Sequence, residues 1–275
     1  MIDINTDLYA GAGLAPATLV CFETLESLIE NGIVSQAELM SIKTPLDKFE
    51  FINTVTIRVI MSFIESGVEF LSLDGIVISP YAKIGKGTTI HPGVQIRRNV
   101  VIGQNCVIGT STVIEDSTIG DNVFIDSSRI YSSTLDDGVS VGPFSQVRAG
   151  SHLKKSVKIG DFVEIKNSVL GEGTKAAHLT YIGDSDVGAR VNFGCGTVTC
   201  NYNGYVKERC TIGDNAFIGC NTNLIAPVTV GNGAYIAAGS TITDSVPPDS
   251  LAIARARGVI KENWAIDFAK KNQRK

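Results

Sequence analysis

Residues 84–108 read Ile84-Gly-Lys-Gly-Thr-Thr-Ile90-His-Pro-Gly-Val-Gln-Ile96-Arg-Arg-Asn-Val-Val-Ile102-Gly-Gln-Asn-Cys-Val-Ile108. An isoleucine returns at every sixth position. Ile78 extends the series backward, and it reappears as Ile212, Ile218, Leu224, Val230, Ile236 and Ile242. Between these runs it persists in pieces, as in Val141, Val147, Leu153, Ile159 and Ile165. Period six fits neither a helix nor a simple strand. It fits a parallel β-helix, in which each hexapeptide is a short strand plus a turn, with the aliphatic residue pointing inward. Glycine often follows that residue, as at Gly85, Gly103, Gly160 and Gly213, where the missing Cβ lets the chain turn. Three hexapeptides make one triangular coil of eighteen residues, and coils stack at about 4.8 Å. The fold class is therefore all-β, a solenoid of hexapeptide repeats. Its handedness does not follow from the period, since parallel crossovers are nearly always right-handed.

Composition agrees. Of 275 residues 44% are hydrophobic but only 7% aromatic, so the core is aliphatic. The 28 glycines are too many for a helical protein and too few for collagen. A net charge of −4 gives no global basic field, and no nucleic-acid partner is expected. No apolar run is long enough to span a bilayer, and no basic segment leads into an apolar one near Met1. The expectation is a cytoplasmic protein whose six cysteines are reduced.

The chain divides into a helical cap or linker over residues 1–72, the β-helix over 73–250, and a basic tail or helix over 251–275. In the cap, Thr44-Pro45 with Asp47 predicts a helix start. Phe49, Ile52, Ile57, Ile60 and Ile64 predict its continuation to an end near Gly67. Ser35 with Glu38 predicts a capping box, and an earlier helix is expected over Ala17–Glu30. Within the solenoid the register slips. Ile125 to Ile130, Ile130 to Leu135, Ile165 to Leu170 and Ile182 to Val187 are steps of five, and the longest break runs from Asn201 to Cys210. A loop that leaves a regular solenoid is a natural place for function.

Eighteen residues separate Arg148 and Lys166, and each follows an inward position. Both should project outward, one coil apart. Stacked cations repel unless something offsets them. Either they clamp an anion such as a phosphate, or they are solvated and balanced by neighbours such as Glu164. The histidines His91, His152 and His178 are too dispersed for a zinc site. His178 lies nearest the two cations in sequence; a neutral imidazole is the usual base for an amine or alcohol nucleophile, and a lone histidine can equally be a surface or structural residue.

From about Gly75 the chain resembles the acetyltransferase half of the bacterial bifunctional N-acetylglucosamine-1-phosphate uridyltransferase/glucosamine-1-phosphate acetyltransferase family. The resemblance is carried by Val141-Gly-Pro-Phe-Ser-Gln-Val-Arg148, Phe162-Val-Glu-Ile-Lys-Asn167, His178-Leu-Thr-Tyr-Ile-Gly-Asp184, Thr197-Val-Thr-Cys-Asn-Tyr202, Ala226-Pro-Val-Thr-Val-Gly231 and Val246-Pro-Pro-Asp-Ser-Leu-Ala-Ile253. It implies a left-handed β-helix, a homotrimer with sites between subunits, and acetyl-CoA as co-substrate. It makes His178 the general base, Arg148 and Lys166 the phosphate pair, and Tyr181, Asn192 and Lys207 further substrate contacts. It places Cys195, Asn201, Tyr202, Cys220, Ala238 and Arg255 at acetyl-CoA. Cys195 and Cys220 replace the Ala and Ser usual there, and Ala149 replaces a proline. The N-terminal segment carries no Gly-rich phosphate loop, so uridyl transfer is not expected of this chain. No cluster of ligands implies a metal. The implied reaction is acetylation of the amine of glucosamine-1-phosphate. Another amino-sugar acceptor, or a non-catalytic role beside a separate uridyltransferase, stays open at this point.

Overall fold

The computed structural model describes residues 19–21 and 23–272. Three parallel sheets of eleven, ten and nine strands run along the chain. Successive strands enter the first, second and third sheet in turn, so neighbours within a sheet are one coil apart. The first sheet runs from Glu69–Phe70 to Leu251–Ala252, the second from Val77–Ile78 to Thr241–Ile242, and the third from Lys83–Ile84 to Val228–Val230. Together they form the sides of a left-handed parallel β-helix.

The period-six residues fill its interior. Ile78, Ile96, Ile114, Ile130, Val147, Ile165 and Ile182 stack in the second sheet and are fully buried. The steps of five are sides one residue shorter, and they set the coil length. A coil with three six-residue sides pairs Val77 with Gln95 and Gln146 with Glu164. One short side pairs Glu164 with Tyr181, and two pair Thr118 with Thr134. The inward residue is kept in every case, because a slip in register would turn the apolar set outward. Stacking at the corners is tight: a Cβ on Gly160 would overlap the carbonyl oxygen of Ala177 one coil on. Buried hydroxyls tie the corners together. Ser145 Oγ donates to the Gly160 carbonyl and accepts from the Val163 N–H.

The cap differs from the sequence expectation in one element. The helix expected over Ala17–Glu30 is confined to α1, Leu25–Glu30. Leu19–Val20 and Glu23–Thr24 instead form an antiparallel pair, and Ala17 lies outside the described residues. Thr24 explains the late start, since its side chain caps the helix by accepting from the Ser27 N–H. Helices α2, Gln36–Met40, and α3, Pro45–Glu65, begin at the expected capping boxes of Ser35 with Glu38 and Thr44 with Asp47. Helix α3 ends just before Gly67, whose φ is +94°. Its buried face is Phe51, Val55, Val59, Ile60 and Phe63, whereas Phe49, Ile57 and Ile64 face outward. That face packs against the strand Val77–Ile78, at the first end of the solenoid. At the other end α4, Trp264–Asn272, is exposed throughout, with Trp264 and Phe268 stacked 4.9 Å apart. No helix among the described residues is long and apolar enough to cross a membrane.

Candidate active site

Two outward columns hold most of the singled-out residues. The first runs along the exit edge of the second sheet, one residue past the inward positions. Arg148 and Lys166 are direct register partners there, and Gly183 follows on the next coil. Arg148 does not stand free. Its Nη1 donates to Glu164 Oε1 at 2.5 Å and its Nε to the Tyr131 hydroxyl at 3.0 Å. The balancing role expected of Glu164 is therefore real, and it orients the guanidinium at the same time. Lys207 comes out of the excursion loop to lie beside Lys166. The adjacent Lys207 ammonium, with Arg148 behind it, holds Lys166 below the ordinary lysine range. Three cations thus gather at one edge of one face.

The loop that delivers Lys207 adds seven residues to its coil: Ser185 pairs with Cys210 and Asn192 with Phe217, in place of the usual offset of seventeen or eighteen. Arg209 anchors its return. Its Nε and Nη2 hold the two oxygens of Asp186 at 2.8 and 2.7 Å, and its Nη1 donates to the Asn167 carbonyl at 3.0 Å. The loop leaves at Asn201, which belongs to a stack of Asn167, Asp184 and Asn201 on three consecutive coils. Asn167 Nδ2 donates to Asp184 Oδ1 at 2.5 Å, and Asn201 Nδ2 donates to Asp184 Oδ2. Asp184 is only 5% exposed. Its burial favours the neutral acid, but the two amides and the nearby Lys166 and Lys207 outweigh that and hold its carboxyl below the usual range. Asn201 also reaches the Tyr181 hydroxyl at 3.4 Å. The Tyr181 ring lies over Gly183, where a side chain would collide with its hydroxyl.

The second column runs along the corner between the first and second sheets. Asp161 and His178 are register partners, and His178 Nδ1 meets Asp161 Oδ1 at 2.5 Å. The imidazole holds that carboxyl below its usual range. An ionised carboxylate only accepts, so Nδ1 donates to Asp161, and a neutral ring in this orientation keeps its lone pair on Nε2. Extending the pairings of Lys175 with Asn192 and of Phe193 with Ile218 by a few residues puts Cys195 and then Cys220 on the following coils. Ala238 comes next, and the Arg255 stem lies 3.8 Å from where a Cβ on neighbouring Gly239 would stand. Residues expected at a base and at an acyl carrier therefore share one line. The two columns flank the short strand Tyr181–Gly183, about 10 Å long at the strand rise, which long cationic side chains can lean across. Asn192 is outward on the first sheet between Lys175 and Phe217, and Tyr202 is exposed with its hydroxyl on the Gly204 carbonyl. Tyr202 is also bridged through its backbone to Lys207.

Sequence reading passed over Asp161, Asp184, Glu164 as an orienting group, Tyr131 and Arg209. Asp161 with His178, and Asn167 with Asp184 and Asn201, recur at an offset of seventeen, one short-sided coil, and that recurrence was visible in the chain.

Comparison with known proteins adds to this geometry. Residues 209–244 match the model "Bacterial transferase hexapeptide (six repeats)", and residues 73–135 match "GMPPB C-terminal domain". Bifunctional protein GlmU of Caldicellulosiruptor saccharolyticus is 49% identical over 241 residues, covering 88% of this chain and 52% of that protein. This chain is similar to part of GlmU. GlmU of Acetivibrio thermocellus is 44% identical over 251 residues, covering 89% of this chain and 54% of its own. The chain thus spans about half the length of the GlmU proteins it matches. Among solved structures, an Arabidopsis UDP-N-acetylglucosamine acyltransferase matches at a TM-score of 0.42 and 15% identity, over 75% of this chain and 73% of that one.

Proposed function

We propose that the chain transfers the acetyl group of acetyl-CoA to the 2-amino group of glucosamine-1-phosphate, as a cytoplasmic step toward UDP-N-acetylglucosamine. The observation that carries this is the face just described. One edge gathers Arg148, Lys166 and Lys207, and the other presents His178 braced by Asp161. Three cations suit a phosphate dianion. A sugar lying across Tyr181 would bring its amine toward Nε2 of His178. That nitrogen takes the amine proton as the amine attacks the thioester carbonyl, and coenzyme A leaves as the thiol. Among the described residues the Cys195 N–H makes no hydrogen bond, so it is available to the developing oxyanion.

We further propose that the working form is a homotrimer with sites between subunits. Phe144, Phe162 and Leu179 support this reading. They stand one above another beside the His178 column, exposed and at positive φ, with the two rings stacked 5.5 Å apart. A second copy would cover them.

Coenzyme A release by the purified chain, with glucosamine-1-phosphate and with other amino sugars in parallel, tests the reading. His178→Ala should remove nearly all turnover. Lys166→Ala should raise KM for the phosphosugar more than for acetyl-CoA. Substantial turnover in His178→Ala, or no release with any amino sugar, would sink it.

A further inference from the structure

Cys195 and Cys220 continue the corner column beyond His178. Cys195 is half-buried and Cys220 is exposed. Asn192 pairs with Phe217 and Phe193 with Ile218, so the ladder extended by two residues sets Cys220 directly over Cys195. Backbone hydrogen bonds hold the two coils together on either side. The Gly194 N–H donates to the Ile218 carbonyl at 2.7 Å, and the Asn221 N–H donates to the Cys195 carbonyl at 2.8 Å. A Cβ on Gly194 would stand 2.8 Å from the Cys220 Cα. Stacked coils put register partners about 4.8 Å apart. That lies inside the roughly 4.4–6.8 Å that disulfide Cα pairs span. Side chains in this column do meet between coils, as Asp161 and His178 show lower down. The remaining cysteines are less suited to exchange. Burial pushes up the thiols of Cys21, Cys106, Cys200 and Cys210, the last to about 11.

We propose that Cys195 and Cys220 are a paired-thiol modification site that closes to an intrachain disulfide by exchange with a low-molecular-weight disulfide. The exposed Cys220 thiolate attacks one sulfur of the reagent and expels the first thiolate, leaving a mixed disulfide. The Cys195 thiolate then attacks the Cys220 sulfur and expels the second. The pair gives up two electrons and two protons, and the reagent is reduced to two thiols. The bridge would lie one coil beyond His178, where the thioester is expected. Oxidation should therefore suppress acetyl transfer, a consequence that rests on the function proposed above. The bridge itself does not rest on it.

The test incubates the full chain with oxidised glutathione, blocks the remaining thiols by alkylation, and maps the digest by mass spectrometry. The expected result is a peptide pair joined through Cys195 and Cys220 within one chain, with two thiols lost and both restored by dithiothreitol. Cys195→Ser and Cys220→Ser should each abolish the bridge and leave the surviving column thiol as a single glutathione adduct. Thiols that all remain alkylatable, separate adducts on both cysteines, or a link between chains would each overturn the proposal. Acetyl transfer is followed in the same samples. Oxidation should lower it in the parent chain in step with the bridge, and dithiothreitol should restore it. A bridge that forms in a chain with no acetyl transfer would fault the function and leave the thiol site standing.

Discussion

Asp184→Ala reaches both the stability of the solenoid and its proposed site. The carboxylate it removes is 5% exposed and holds the amides of Asn167 and Asn201 on the coils below and above. A hydrogen bond to a charged group contributes about 1.5–3 kcal/mol, and an amide left unpaired costs further. Against this, the variant no longer desolvates a charge. The net loss works out at roughly 3 kcal/mol, which for a chain of this size lowers the thermal midpoint by about 6–12 °C. Asp184→Asn keeps one acceptor oxygen and should lose about half as much. Thermal unfolding followed by circular dichroism reads both. The effect has a pH signature with a definite sign. A carboxyl held below its usual range adds stability above its unfolded pKa, and that stability is lost as pH falls through the folded value. The gap between parent and variant should be full at neutral pH and shrink below about pH 4. A variant that melts within about 1 °C of the parent at neutral pH, or a gap unchanged near pH 3, would refute the account of this stack.

Two further outcomes follow from particular contacts. Gly160→Ala places a methyl against the Ala177 carbonyl, where only backbone could yield, and should cost roughly 2–4 kcal/mol in a urea titration. Gly258→Ala meets nothing within 4 Å and should leave the urea midpoint in place, so equal effects would refute the argument from coil spacing. Arg209→Ala frees the loop that carries Lys207, and losing about 1 kcal/mol of anchoring should raise KM for the phosphosugar roughly fivefold while KM for acetyl-CoA holds. If both constants move together, the loop is not positioned for the phosphate.

Much of this was legible because a solenoid makes sequence offset and spatial neighbourhood the same thing. Ile84 to Ile108 announced the coil, and the offset from Arg148 to Lys166 announced a stacked pair that the register bears out. The five-residue steps at Ile130 and Leu135 showed only as slips of register, and the pairing makes them sides one residue shorter. What could not be read depends on contacts without a period. The loop from Asn201 to Arg209 folds by its own turn and by the Arg209–Asp186 pair, so nothing in its spacing placed Lys207 beside Lys166. In the cap, tertiary packing chose among several apolar residues of α3 and buried Phe51, Val55 and Val59 in place of Phe49 and Ile57. Thr24 stopped the expected first helix from starting sooner.

The even stacking of coils also makes the molecule a ruler. Groups on one column can be separated only by whole steps of about 4.8 Å, and no side-chain substitution changes that graduation. From His178 to Ala238 is three steps, or roughly 14 Å, marked off by Cys195 and Cys220. An extended co-substrate laid along this corner would be measured against fixed marks, so its length is selected by the number of coils between the marks. Adding or deleting one coil between His178 and Ala238 would shift the acceptable length by one graduation and leave the chemistry at His178 alone.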